Sequence, residues 1–96
     1  MHIEFAPLAA SDLEHIGDYI AHDNPQKAVG FIRELQSRCL DLQHFPAATR
    51  LIPAFGPDAR ILPFRNHLIL YTFKDNQIRI ERIVHGSRDL VSIIKN

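Results

Sequence analysis

The chain has 96 residues, of which 46% are apolar and 23% are charged, and its formal net charge is zero. These values are typical of one globular domain and leave too little length for two, so we expect a single domain over residues 1–96. The longest apolar run, Leu68–Tyr71, is far too short for a transmembrane helix. Glu4 lies in a strand-like segment directly after Met1, so we expect no secretory signal and a cytoplasmic location.

The charge is divided unevenly along the chain. Residues 1–45 contain seven acids and three bases, a net charge of −4, whereas residues 46–96 contain eight bases and four acids, a net charge of +4. Eight of the eleven bases are arginine, whose guanidinium pairs with carboxylate or phosphate through two hydrogen bonds. The division indicates an acidic partner or a nucleic acid for the C-terminal half. Charge alone favours the simpler interpretation that the two halves pair with each other.

The N-terminal half predicts one strand and two helices. Residues His2–Phe5 alternate between polar and apolar, which is typical of a strand. A helix then begins at Pro7, in preference to Asp12, because proline suits the first helical position. Asn24-Pro25 starts a second helix, whose apolar stripe continues for about five turns to Phe45. With almost no linker between them, the two helices should form an antiparallel hairpin.

The C-terminal half predicts a small sheet after an irregular segment. Three strands and a final helix are expected over Ala59–Phe64, His67–Lys74, Gln77–His85 and Ser87–Ile94. Pro63 suggests an edge strand, Arg65-Asn66 and Asp75-Asn76 suggest turns, and a phase change near Glu81–Ile83 suggests a bulge. The order β-α-α-β-β-β-α predicts an α+β fold, with the helical hairpin packed on a small, mainly antiparallel sheet.

The end of the last strand carries a candidate anion site. His85 ends the apolar run, Gly86 follows, Ser87 suits a helix N-cap, and Arg88 falls in the first helical turn. An imidazole and a guanidinium beside free helix N–H groups could receive a phosphate or carboxylate. An ordinary turn, in which His85 donates to a backbone carbonyl, is at least as well supported.

The whole pattern resembles the RelE/ParE superfamily, the toxins of bacterial type II toxin–antitoxin modules, and most of all its ParE branch. The resemblance covers almost the full length and is specific only as an ordered set. Its pieces are Asp12-Leu13 with Ile16 and Tyr19-Ile20, Asn24-Pro25 with Ala28, Phe45-Pro46 with Arg50, Arg60–Pro63, Leu68–Tyr71, and Ile80 through Arg88-Asp89-Leu90. The family fold, a helical hairpin on a small antiparallel sheet, agrees with the predicted order.

The resemblance implies two possible activities. RelE-like members cleave messenger RNA on the ribosome, whereas ParE-like members inhibit DNA gyrase and are not known as nucleases. For RNA cleavage without a metal, His85 would be the base or acid, and Arg60, Arg65 and Arg88 would supply the cations, if all four converge on one face. Whether this protein is an enzyme therefore depends on whether it acts as a RelE-like or a ParE-like member.

The basic residues favour the gyrase inhibitor. The chain has three lysines, with none between Ala28 and Phe73, and the segment Arg50–Pro57 carries one charge. A surface for ribosomal RNA should be strongly basic, because phosphate contacts supply most of the affinity. A relative that has lost toxicity and only binds its antitoxin is a third possibility.

A cognate antitoxin is the expected partner of such a toxin. Its disordered tail would fold over the toxin, and the +4 half would suit an acidic tail. The expected antitoxin-binding residues are Leu51, Ile52, Phe55, Arg60 and Leu62, beside the edge strand Ala59–Phe64 as a site for β-augmentation. An equally supported interpretation is that the apolar loop residues Leu51, Ile52 and Phe55 pack on the chain's own core instead.

The remaining side chains predict structural roles. Six histidines are scattered without metal-ligand spacing, so we expect no metal site and no cofactor, and we expect no small-molecule substrate and no membrane contact. Cys39 lies in a helical apolar stripe and should be a buried thiol. Tyr19 and Tyr71 should belong to the core, Arg82 should pair with an acid across the strands, and Arg88 could pair with Asp12.

Overall fold

The two helices of the hairpin begin at the predicted residues. The computed structural model describes residues 1–87, in which α1 spans Pro7–Asp23 and α2 spans Pro25–Asp41. The start at Pro7 is confirmed, and the Asn24 side chain accepts a hydrogen bond from the Lys27 backbone N–H at 3.1 Å, as an N-cap does. The α-helix ends earlier than expected, since Leu42–His44 forms a tighter 3₁₀ turn before Phe45.

The sheet has five strands rather than four. β1 (His2–Phe5), β2 (Arg50–Leu51), β3 (Ala59–Phe64), β4 (His67–Lys74) and β5 (Gln77–His85) lie in the order β1-β5-β4-β3-β2. All neighbours are antiparallel except β1 and β5. β2 was not predicted, because two residues without alternation carry no strand signal. The fold class is confirmed as α+β.

The turns and the bulge lie where the sequence predicts them. Arg65, Asp75 and Asn76 have positive φ angles of 52°, 51° and 60°, which close the tight β3–β4 and β4–β5 connections. The register places Tyr71 opposite Ile80 and Leu70 opposite Arg82, so Glu81 is the extra residue of a β-bulge.

Most of the core lies between the hairpin and the sheet. Its buried members are Ala9, Leu35, Cys39, Leu42, Leu62, Ile69, Tyr71, Ile78, Ile80 and Ile83. Burial of Tyr71 and Cys39 is confirmed, but the placement of Tyr19 in the core is wrong, because its side chain is 82% exposed. Leu8 is also exposed, and Ala9 takes the buried position at the start of α1.

A partly buried ion pair fixes α1 on β5. Arg82 donates from Nε to Asp12 Oδ2 at 2.8 Å and from its terminal nitrogen to Asp12 Oδ1 at 3.0 Å. The Ile83 N–H donates to Asp12 Oδ2 at 2.8 Å. The expectation of a cross-strand partner for Arg82 is therefore wrong, since the bulge at Glu81 turns this side chain to the helix. The Asp12 hydrogen bond raises the pKa of Arg82.

The strand Ala59–Phe64 is only partly an edge. β2 pairs with its first half, through Arg50 opposite Ile61 and Leu51 opposite Arg60. Only the second half of β3 lacks a strand on that side within the described residues. The predicted helix Ser87–Ile94 lies outside the described residues beyond its first position.

Candidate functional site

A cavity of about 860 Å³ lies between the helical hairpin and one end of the sheet. We call it the hairpin cavity. Its walls come from α1, α2, the β3–β4 turn and the adjoining ends of β4 and β5, and they include Asp12, His15, Lys27, Arg65, His67, Arg82 and His85. Two of the four predicted nuclease residues, Arg65 and His85, therefore lie around one space.

His85 is held by the turn that follows it. Its Nδ1 atom is 2.7 Å from the Ser87 hydroxyl and accepts a hydrogen bond from the Ser87 backbone N–H at 3.2 Å. A backbone N–H can only donate, so Nδ1 is the unprotonated nitrogen and the proton of the neutral ring is on Nε2. The lone pair that a general base needs is thus already engaged by Ser87.

Gly86 allows the close approach that ends the sheet. Its N–H donates to the Asn66 carbonyl at 2.7 Å, and this hydrogen bond joins the end of β5 to the β3–β4 turn. A Cβ at this position would lie 3.3 Å from the same carbonyl oxygen. The segment at the end of β5 therefore has a structural role, since it holds the last strand against the β3–β4 turn.

His67 is a member of the cavity that sequence reasoning missed. Its ring contacts the rings of Phe31 and His85 edge to face, with centroids 5.5 Å and 5.4 Å apart. Its Nδ1 is buried and has no hydrogen-bond partner among residues 1–87. Burial, followed by the proximity of His85, lowers the pKa of His67 below 6.5. The sequence did contain a signal for this contact. A β4–β5 hairpin with a one-residue bulge places residue 67 opposite residue 85.

Arg65 is anchored from two sides. Its guanidinium forms an ion pair with Glu34 of α2 and lies 5.7 Å from the Phe31 ring centroid and 5.6 Å from that of Phe64. Both partners of the ion pair are more than half exposed, so the contact itself stabilises the fold little. It does hold the guanidinium at the rim of the cavity.

Arg60 lies away from this cavity. It pairs with Tyr71 in the register, four strand residues or about 13 Å from the His67–His85 end. Its guanidinium donates to the carbonyl oxygens of Ala47 at 3.0 Å and Thr49 at 2.5 Å. Arg60 therefore clamps the loop before β2, and the expected convergence with Arg65 and His85 is wrong for this residue.

Tyr71 completes the same clamp from within the core. Its hydroxyl donates to the Pro46 carbonyl at 2.9 Å and forms a short hydrogen bond with the Thr49 hydroxyl. Burial raises the pKa of Tyr71, although the Thr49 hydrogen bond and nearby Arg60 act in the opposite direction. The fourth predicted nuclease residue, Arg88, lies outside the described residues, and the carboxylate proposed as its partner is occupied by Arg82.

The predicted antitoxin-binding residues have mixed positions. Leu51 on β2 is 46% exposed, and Ile52 and Phe55 are half-buried. Leu62 is a core residue at 4% exposure, because its side chain faces the hairpin, so a docking role for that side chain is excluded.

A second, shallower cavity of about 430 Å³ lies along the β2–β3 edge, lined by Thr49, Arg50, Ile52, Ile61, Pro63 and Leu68. We call it the edge groove. Over residues 1–87, no helix is long and apolar enough to cross a membrane, and no three His, Cys, Asp or Glu side chains are grouped to hold a metal ion.

The fold defines the class of protein. A helical hairpin on a five-stranded, mainly antiparallel sheet is the fold of the RelE/ParE toxin superfamily. The isolated E. coli RelE toxin superimposes with a TM-score of 0.64 and 14% identity, over 96% of this chain and 90% of that one. At that identity the likeness shows the fold alone.

The family follows from two further comparisons. Residues 3–90 match the model of the ParE toxin of the type II toxin–antitoxin system, parDE, and the chain belongs to that family. A structure described as the chromosomal ParDE toxin–antitoxin system from P. aeruginosa is similar with a TM-score of 0.75 and 25% identity. That similarity covers 88% of this chain and 95% of the other. Comparison with curated proteins gave no significant match.

Proposed function

We propose that this ParE-type toxin inhibits DNA gyrase by binding it, without an enzymatic step of its own, and that a cognate antitoxin neutralises it. The observation that carries the proposal is the separation of Arg60 from His85 and Arg65, two of the other predicted nuclease residues. Arg60 is engaged by backbone carbonyls about 13 Å along the strand from His85. General acid–base catalysis requires such groups within hydrogen-bond reach of one substrate, and this arrangement does not offer it.

The hydrogen bonding of His85 supports the same conclusion. With Nδ1 accepting from Ser87, the ring presents only a protonated Nε2 and has no free lone pair for the ribose 2′-hydroxyl. Lysines are also sparse, which argues against a ribosomal-RNA surface. Inhibition by stoichiometric binding needs neither feature.

The test is a supercoiling assay with purified gyrase. Stoichiometric toxin should block supercoiling, and His85→Ala should inhibit equally well, since the histidine is architectural. Absence of inhibition by the folded wild-type chain would refute the gyrase target. New 5′ ends in translated messages, detected by primer extension and abolished by His85→Ala, would instead establish the RelE-like nuclease.

We propose that the antitoxin binds along the edge groove. The similar P. aeruginosa structure is of a ParDE system, and here half-buried Ile52 lines an apolar groove that Arg50 makes basic. Exposed Leu51 lies between these two residues on β2 and faces the opposite side of the sheet. An acidic, extended tail could add main-chain hydrogen bonds to the sheet edge and place apolar side chains in the groove.

Matched leucine variants test this surface. An extended tail paired with β2 would contact both faces of that strand, so Leu51→Asp should weaken binding of the cognate antitoxin by about tenfold or more, because it adds a charge to an apolar contact. Leu40→Asp on α2 is the control, since Leu40 is similarly exposed, 52% against 46%. Equal loss of binding in both variants, or in neither, would refute the edge groove as the docking site.

A further inference from the structure

The hairpin cavity shares no lining residue with the edge groove, and it gathers cationic and cationisable groups from several elements. Lys27 comes from α2, Arg65 from the β3–β4 turn, His67 from β4, His85 from β5 and His15 from α1. These residues are distant in the sequence, so only the packing of the hairpin on the sheet brings them together. Local capping or turn formation does not explain the cluster.

The negative charge in the described part of this lining is already neutralised. Both oxygens of Asp12 accept hydrogen bonds from Arg82, and one also accepts from the Ile83 N–H. Glu34 pairs with Arg65 from outside the lining, using one carboxylate oxygen. A guanidinium has five N–H donors, so Arg65 keeps donors for a second anion.

Lys27 and Arg65, the cations of the lining other than Arg82, are both associated with the aromatic residue Phe31. Lys27 and Phe31 are four residues apart on α2, so their side chains lie on the same face of the helix, one turn apart. Arg65 lies 5.7 Å from the centroid of the Phe31 ring. Two cationic side chains of the cavity therefore belong to the surroundings of one flat apolar surface.

The floor of the cavity is apolar and its rim is aromatic. Ile16, Ile20 and Ile83 line it from α1 and β5, and Tyr19, 82% exposed, stands beside them on α1. His67 adds a ring whose buried Nδ1 atom has no hydrogen-bond partner within residues 1–87. The volume of about 860 Å³ falls within the range of small-molecule sites, about 300–1,000 Å³.

We propose that the hairpin cavity binds a small aromatic anion of the mononucleotide class. The phosphate takes the donors of Lys27 and Arg65, and the base lies on the apolar floor beside Phe31 and Tyr19. An inorganic anion would leave the apolar floor unused, and a neutral nucleoside would leave the charged donors of Lys27 and the remaining donors of Arg65 unused. Binding should therefore require both halves of the ligand.

The experiment is a titration of the full-length, isotope-labelled chain with 5′-AMP, adenosine and inorganic phosphate, followed by NMR. 5′-AMP should bind and shift the resonances of Phe31 and His67. Adenosine and phosphate should each bind at least about tenfold more weakly. Lys27→Gln and Arg65→Gln should each weaken 5′-AMP binding about tenfold, since each removes a charged donor.

Two control variants separate a built site from general charge attraction. Lys74→Gln removes a lysine at the other end of β4, about 23 Å from His67. Arg79→Gln removes an exposed arginine of β5. Both should leave the affinity unchanged. The proposal is overturned if 5′-AMP does not bind, if phosphate binds as tightly, or if the controls lose as much affinity as Lys27→Gln. Lys27 is exposed and makes no side-chain contact that the fold needs, so its variant should stay folded.

Discussion

Replacing Asp12 with alanine should be among the most destabilising single changes in this toxin. The Asp12 carboxylate accepts three hydrogen bonds from β5, two from the Arg82 guanidinium and one from the Ile83 backbone N–H. The two charged side chains are only 14% and 20% exposed. Alanine would leave a buried amide and a largely buried cation without partners.

The magnitude follows from the burial of the pair. Removing one partner of a buried ion pair costs about 3–5 kcal/mol, and residual exposure places this pair at the lower end, about 3 kcal/mol. In a domain of this size, 1 kcal/mol corresponds to about 4–8 °C in Tm, so the expected loss is about 12–24 °C.

Urea unfolding followed by circular dichroism measures this loss. Glu4→Gln provides the control, because Glu4 lies 3.8 Å from Arg79 in an exposed pair, which is worth about 0.2–1 kcal/mol. Combining Asp12→Ala with Arg82→Met should restore part of the stability, since the unpaired cation is then absent. If Asp12→Ala cost no more than Glu4→Gln, the attribution of the α1–β5 connection to this carboxylate would be refuted.

Three further predictions concern other buried groups. The Cys39 thiol is fully buried and burial raises its pKa to about 12, so thiol reagents at pH 8 should modify it only as fast as the chain opens; prompt labelling of native protein would contradict this. The lowered pKa of His67 means that the unfolded chain takes up this proton first, so unfolding free energy should fall as the pH drops below about 6.5. His67→Phe should remove that part of the pH dependence, and an NMR titration midpoint of His67 at or above 6.5 would disprove the assignment. Arg60→Gln should release the loop before β2 and speed hydrogen exchange of the Ile52 amide, which bonds Ala59, about tenfold or more, while helix amides stay unchanged.

Local chemistry explains why much of the fold could be predicted. Pro7 and Asn24-Pro25 define the helix starts through interactions within one turn, and Asp75-Asn76 closes a hairpin because both residues tolerate positive φ. The phase change near Glu81 indicated the bulge that the register confirms. β2 escaped prediction because it is a strand only by pairing with β3.

The candidate sites depend on contacts that no local signal encodes. Arg82 binds an acid 70 residues earlier in the chain, since the bulge turns it to α1. Leu62 and Arg60 both face the hairpin from β3, yet one is buried in the core and the other clamps a loop. Their burial depends on how far the hairpin extends over the sheet.

The sequence by itself determined the order of the two helices and the four longer strands, because capping, turn chemistry and apolar period act over a few residues. The ParE family came from the resemblance of the whole pattern to known toxins. Tertiary structure alone decided which charged groups meet. It separated Arg60 from His85, joined Asp12 to Arg82, and placed Arg65 and His67 around one cavity. Convergence requires the register of the strands and the packing distance of the helices, and both are properties of the assembled chain.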